Sequence, residues 1–323
     1  MKEIGGYFGL ENFNGTEYHN DLIPLNNGRN ALQYLVKAKG IRKLYIPFYL
    51  CDSVSDMLVK KGYDFEYYQV NADFTPSFSK ALAKDEYLYI VNFYGQLTDE
   101  LIMALKRQFD RIIIDNTHAF FQKPTADTDT IYSCRKFFGV PDGAYLSSDK
   151  ALEEVLEIDV SKDRMSYILG RFEGQASDYY RDYLEINELY GEEPILKMSK
   201  LTHNILKAID YEQIRQIRNE NFKFLHNELE EENPLKLVSP DGPFAYPFYI
   251  ENGIEVRKQL ALKKIYIPTL WPNVLDLVPK ESMEYQYAAN ILPLPCDQRY
   301  TTEDMKFMAG ILKRSTVKLT GNK

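Results

Sequence analysis

The stretch RIIIDNTHAF (111–120) decides how this chain reads. Three consecutive isoleucines closed by an acid describe a strand buried on both faces, with Asp115 at its carboxyl tip. Working outward, KLYIPFY (43–49), DFEYYQV (64–70) and YLYIVNFYG (87–95) are further short β-rich runs, and TIYSC (130–134) is a candidate for one more. Helical patterns fall between them. In NGRNALQYLVKAKG (27–40), Ala31, Leu32, Leu35 and Val36 recur at helical spacing and Gly40 stops the run; DSVSDMLVKKG (52–62) is a second helix. This alternation predicts an α/β fold, a mostly parallel central sheet with helices on both faces. In such sheets ligands sit outside the carboxyl ends of the strands, so the polar residues that close apolar runs are the ones to inspect.

Beyond about residue 200 the pattern changes. LTHNILKAIDYEQIRQIRNENFKFLHNELEEE (201–232) reads as one long amphipathic helix. PFAYPFYI (243–250) and KKIYIP (263–268) read as short strands, followed by NILPLPCDQRY (290–300) and a closing helix that Thr301 opens with Asp304 three residues on. The expected organisation is an N-terminal segment (1–21), a large α/β domain (22–205) and a smaller C-terminal α+β domain (206–323), in keeping with about 150 residues per domain in a chain of 323.

Composition narrows the function classes. With 45% hydrophobic and 27% charged residues the chain can bury a large core. Its 39 basic against 47 acidic residues leave a net charge of −8, which argues against a nucleic-acid binder working through a basic face. Cys51, Cys134 and Cys296 are widely spaced and form no metal or disulfide pattern, as expected in a reducing cytoplasm. The opening MKEIGGYFGLENFNG has no apolar core of a signal peptide, and no apolar run approaches a membrane span. The expectation is a cytoplasmic protein with no metal site, no membrane and no nucleic-acid partner.

Four segments can carry chemistry. Asp115 at a strand tip can pair with a cationic ring nitrogen, and His118 is near enough to face the same ligand; the plainer reading is a turn cap and a packed histidine. Lys136 in SCRKFFGVPDGAYL (133–146) lies among apolar neighbours that favour a nucleophilic amine, with the Ser133 hydroxyl nearby; most lysines are simply surface groups. Cys134 beside Arg135 and Lys136 is a candidate for a lowered pKa. LNNGRNAL (25–32) opens a helix whose first amides suit an anion, with Gly28 admitting close approach, although it is neither a dinucleotide fingerprint nor a P-loop. Asn92, Tyr94, Gly95 and Gln96 end a buried run and either orient a ligand or cap the strand. Taken together, a phosphate-ready helix start, a strand-end acid, a histidine and a lysine about twenty residues later form the set that pyridoxal phosphate needs.

At these residues the chain resembles the DegT/DnrJ-type family of fold-type I pyridoxal-phosphate enzymes, best known for nucleotide-sugar aminotransferases. The resemblance rests on NNGRNAL (26–32), IPFYLCDSV (46–54), NFYGQLTD (92–99), IDNTHAF (114–120), SCRKFFGVPDGAYL (133–146) and LPLPCDQRYTTEDM (292–305). It implies pyridoxal 5′-phosphate as cofactor and Lys136 as the Schiff-base lysine that also moves the proton. Asp115 becomes the pyridinium partner, and His118 faces the ring hydroxyl. Asn27, Gly28 and Arg29 form the phosphate-binding helix start with Ser133 as a hydroxyl, and Tyr49 is the candidate aromatic at the ring. It further implies amino transfer from glutamate to a keto-sugar nucleotide for polysaccharide or glycoconjugate synthesis, in a homodimer. The chain departs from the family pattern in the turn after Lys136, in Ile131 where a serine is usual five residues before the lysine, in Cys51 near the usual stacking aromatic, and in ILKMS (195–199), which lacks the cross-subunit Asn and Arg. The alternatives are another pyridoxal-phosphate reaction such as a lyase or dehydratase, a non-catalytic binding protein on this scaffold, and a nicotinamide oxidoreductase; the last lacks its glycine fingerprint.

Overall fold

The computed structural model describes residues 4–191 and 193–320, the last six without their side chains. The strands are β1 (Ile23–Leu25), β2 (Lys43–Pro47), β3 (Asp64–Val70), β4 (Pro76–Ser77), β5 (Glu86–Val91), β6 (Ile112–Asp115), β7 (Asp129–Ser133), β8 (Ala144–Ser147), β9 (Tyr246–Tyr249) and β10 (Ile291–Leu294). The helices are α1 (Gly28–Lys39), α2 (Asp52–Lys61), α3 (Asp99–Phe109), α4 (Ser166–Glu173), α5 (Tyr180–Leu189), α6 (Lys200–Leu206), α7 (Tyr211–Leu229), α8 (Gly253–Ala261), α9 (Val274–Leu277), α10 (Met283–Asn290) and α11 (Thr302–Thr320).

The first eight strands form one sheet in the order β1-β8-β7-β6-β5-β2-β3-β4. Its centre is parallel, from β3 through β2, β5 and β6 to β7, whereas β4, β8 and β1 add antiparallel edges. The central strands are apolar throughout because both their faces are covered: all four residues of β6 are buried, as are Leu88 to Val91 of β5. The crossover β2–α2–β3 runs one way along the sheet and β5–α3–β6 the other, so right-handed connections put α2 and α3 on opposite faces. The order reverses between β2 and β5, and the crevice beyond their carboxyl ends is where this class of sheet receives ligands. The Tyr49 and Tyr94 hydroxyls meet across that crevice at 3.2 Å.

A second core lies under the antiparallel pair β9–β10, where Phe222, Leu225 and Leu229 of α7 and Met305, Met308 and Leu312 of α11 pack on Tyr246, Phe248, Leu292 and Leu294. Two expectations for this part are corrected. The 201–232 segment is two helices, because the Asp210 carboxylate caps α7 by accepting from the Gln213 amide (3.0 Å) and the Tyr211 hydroxyl donates to the Leu206 carbonyl at the end of α6 (2.8 Å). KKIYIP is no strand: Lys264 takes a left-handed φ of 60°, and the Ile265 amide donates back to Leu260, so the segment unwinds from the end of α8 with no strand beside it. The capping pattern at Thr301 and Asp304 does form, with Asp304 accepting from both the amide and the hydroxyl of Thr301.

Candidate active site

Asp115 closes β6 between Val91 of β5 and Ile131 of β7. Its side chain is buried, and each oxygen has a donor: the Tyr89 hydroxyl at 2.5 Å and the Thr117 amide at 2.9 Å. Burial is the largest influence on this carboxyl and raises its pKa, opposed by those two donors and by the charge of Lys136. The group is held rigidly and is a stronger base than a surface aspartate.

His118, three residues on, is also buried. Phe244 stacks on its ring at 4.0 Å with 9° between planes, Trp271 lies near-parallel at 5.6 Å, and Tyr94 is tilted at 5.7 Å. Stacking on the faces leaves the edge, where the nitrogens are. Burial, seconded by Lys136, drives the imidazole pKa well below its usual value, so the ring is neutral. Its Nδ1 is buried with no hydrogen-bond partner. Tyr94 (φ 57°) and Trp271 (φ 56°) both occupy the left-handed backbone region, at about 1 kcal/mol or more each. Strain held at two residues around one histidine marks a place built for something other than packing.

Lys136 ends a single 3₁₀ turn, Cys134–Lys136, that leaves the tip of β7. Phe137 and Phe138 anchor that turn in an aromatic cluster with Phe120 and Tyr211, and the lysine side chain itself is exposed rather than sunk among apolar groups. Its Nζ stands 5.9 Å from the Phe244 ring, the ring that covers His118. The following turn is fixed by Gly143 at φ 115°, where a Cβ would press on Thr202 and the Cys134 sulfur at 3.0 and 3.2 Å. Asp142, fully buried, accepts from the Ser199 amide and hydroxyl and from the Thr202 hydroxyl. Cys134 is buried and its thiol pKa is pushed far up by burial, the reverse of the lowered value expected beside two cations.

The start of α1 completes the arrangement. Asn27 caps the helix by accepting from the Asn30 amide at 2.9 Å, and its buried Nδ2 has no partner. The Asn26 carbonyl accepts from the Gly143 amide, tying this loop to the turn after Lys136. A Cβ on Gly28 would lie 3.8 Å from both Thr117 and Ile131. So the helix start faces the loop between Asp115 and His118 on one side and the strand leading to Lys136 on the other. Ser133 is half-buried at the end of that strand.

Two expected residues behave differently. Tyr49 has no exposed surface; its hydroxyl meets Tyr94 and its ring abuts Trp271 edge-on at 4.5 Å, so it supports the aromatic wall from behind instead of offering a face to a ligand. Half-buried Cys51 stands next to it at the start of α2. In NFYGQLTD, Asn92 and Gln96 are structural: Asn92 bonds Leu97, Asn116 and Gln122, and Gln96 pairs with Val238, while Tyr94 and the backbone of Gly95 stay beside His118. Phe244, Trp271, Tyr89 and Arg135 were not among the expected residues. The first two come from far along the chain and carry no local signal, whereas Tyr89 is legible in part, since residues two apart on β5 share a face and Val91 is the register partner of Asp115.

No family model matches the chain, and no curated protein matches it in sequence. Solved structures do match in fold. A DegT DnrJ EryC1 StrS aminotransferase from Brucella abortus is 14% identical with a TM-score of 0.61, over 90% of this chain and 85% of that one. Spr1654 from Streptococcus pneumoniae, in its PLP form, is 14% identical with a TM-score of 0.64, over 92% and 87%. The Helicobacter pylori aminotransferase PseC, involved in pseudoaminic acid biosynthesis, is 15% identical with a TM-score of 0.58, over 90% and 85%. Across nearly its whole length, the chain has the fold-type I architecture of these aminotransferases.

Proposed function

We propose that this chain is a pyridoxal-phosphate-dependent aminotransferase of the DegT/DnrJ type, moving an amino group from a donor such as glutamate to a keto-sugar nucleotide. The observation that carries the reading is the convergence of Asp115, His118 and Lys136 with the start of α1 at the carboxyl edge of one sheet. The residues suit the cofactor. Two buried polar atoms without partners, His118 Nδ1 and Asn27 Nδ2, are free to meet a ring hydroxyl and a phosphate. The similarity to Spr1654 in its PLP form and to PseC supports the same choice. Cytoplasmic location and a homodimer belong to this reading, as does division into residues 22–205 and 206–323. No described helix is long and apolar enough to cross a membrane.

When bound, pyridoxal phosphate supplies an electron sink for charge developing beside the reacting nitrogen. The chain's own groups do the rest. The Asp115 carboxylate, oriented by Tyr89 and Thr117, would hold a proton on the ring nitrogen. Neutral His118 would offer its edge to the ring hydroxyl while Phe244 and Trp271 keep water from its faces. Asn27 and the first amides of α1 would bind phosphate, with Ser133 adjoining. Lys136 would attach the cofactor through Nζ and, when free of it, pass a proton at that atom.

The test is borohydride trapping of pyridoxal phosphate on the purified chain, followed by peptide mapping. The expected result is a single adduct on Lys136, absent in Lys136→Ala. In a separate sample loaded with the cofactor and left unreduced, glutamate should yield one equivalent of 2-oxoglutarate per loaded site. A chain that traps nothing is not this enzyme; one that traps the cofactor yet leaves glutamate untouched uses another donor or runs a different reaction.

A further inference from the structure

Two arginines near the start of α1 stand without the carboxylates that partly buried guanidiniums normally require. The side chain of Arg29, the second residue of α1, makes no hydrogen bond and no ion pair among the described residues. Arg135, immediately before Lys136, holds its guanidinium carbon 3.9 Å from the centre of the Tyr190 ring and donates to Asn187 at 2.8 Å and to the Tyr167 hydroxyl at 3.5 Å, while its Nε is buried and unpartnered. Arg29 reaches the same place, since its Nη1 lies 3.9 Å from where a Cβ on the neighbouring Gly191 would be. Burial weakens the hold of Arg29 on its proton, and the charge of Arg135 weakens it further; exposed Asp52 opposes this but makes no ion pair with it.

The surroundings say what such a pair is for. Like charges left together without an acid are stabilised by a ligand that brings negative charge. The buried Nδ2 of Asn27 is a third unspent donor at the same helix end, independent of the arginines. The side-chain atoms that stand nearest Gly28 on the strand side are the methyl groups of Ile131 and Thr117.

We propose that the guanidiniums of Arg29 and Arg135 close on a phosphate monoester seated at the start of α1, so that this chain selects the phosphorylated form of its cofactor by charge. The proposal rests on the pyridoxal-phosphate reading given above and adds a role for two side chains to it. Planar forks suit the task, because each can present paired N–H groups to phosphate oxygens.

The experiment compares pyridoxal phosphate with pyridoxal, which lacks only the phosphate. Trp271, the chain's single tryptophan, lies against His118 and serves as the fluorescence reporter. Wild type, Arg29→Gln, Arg135→Gln and the double variant are titrated with both compounds, and binding of inorganic phosphate is followed separately by ³¹P line broadening. Each single variant should weaken pyridoxal phosphate by roughly 10–100-fold, the span of one charged hydrogen bond. Pyridoxal should stay within about threefold, and Arg135→Lys should recover part of the loss. Phosphate binding should disappear in the double variant. Equal weakening of both compounds overturns the proposal, because the arginines then act only through packing. Unchanged affinity for both overturns it too, and leaves the cofactor reading standing if the Lys136 adduct still forms. A wild type that forms no adduct but loses phosphate binding in the double variant sinks the cofactor reading and keeps the arginine pair.

Discussion

The two ends of the site are built on opposite terms. At the sheet end, Asp115 and His118 are buried, the acid has a donor on each oxygen and the imidazole is stacked by Phe244 and flanked by Trp271. At the helix end, Arg29, Arg135 and Lys136 are partly or fully exposed and make no ion pair. One end fixes proton positions by excluding water, which requires that its groups be packed and mostly satisfied. The other end keeps donors and positive charge unspent, which is what a site for an anion must do before the anion arrives. The contrast teaches that burial and charge need not be supplied by the same elements: strands and distant aromatics provide the first, one helix start and one 3₁₀ turn the second.

That contrast can be broken or sharpened by measurement. The largest effect belongs to Asp115→Asn, which keeps an acceptor for Tyr89 but removes the charge. Amino transfer should fall by roughly 10²–10⁴-fold, while trapping of pyridoxal phosphate on Lys136 persists. A loss below tenfold means that the rigid end does not govern the proton. Next comes Trp271→Ala, which deletes a buried ring and part of the cover over His118. It should destabilise the chain by about 3–5 kcal/mol in urea titrations, since alanine keeps the strain of the left-handed φ. Ring-proton titration of His118 in that variant should show its pKa moving back toward the ordinary value.

A smaller effect tests the cost of keeping histidines dry. Burial lowers the pKa of His19 to about 4, against about 6.5 in an unfolded chain, and holds His118 well down as well. The folded protein keeps both rings neutral while the unfolded chain takes up protons below pH 6.5. Stability is therefore retained above that value and lost as pH falls toward 4. His19 alone should account for about 2 kcal/mol between pH 7 and 5, read as the flatter pH dependence of His19→Gln. An unaltered slope would mean that His19 is protonated in the fold. The smallest effect lies at the open end, where Cys51 precedes α2 and makes no capping bond to it. Cys51→Ser should raise stability by about 0.5–1 kcal/mol without weakening cofactor trapping.

Much of this was legible before any coordinates. Strands β2, β5 and β6 read as largely apolar runs because strands buried on both faces admit little else, and Asp115 stood out by ending one of them. Gly40 does terminate α1 in the left-handed conformation. Reading failed where a neighbour decided. Apolar KKIYIP becomes the unwound end of α8, and the helical pattern around Asp210 is broken by that residue's own carboxylate. Cys134 beside two cations looked reactive, yet its side chain points into the core and its thiol is inert. Tyr49, expected at the cofactor ring, braces Trp271 instead.

The sequence by itself determined the alternating elements, the parallel centre of the sheet, the strand-end position of Asp115 and the place of Lys136 just after a strand. Those follow from local periodicity and from the rule that a buried strand must be apolar until it reaches its edge. Only the tertiary structure decided which groups share the site. Phe244 and Trp271 arrive from more than a hundred residues away to cover His118, and Arg29 and Arg135 come together near Tyr190 although β2 to β7 lie between them in the chain. Contacts of that kind leave no periodic trace, because they depend on how the chain returns to one point and not on what precedes or follows each residue.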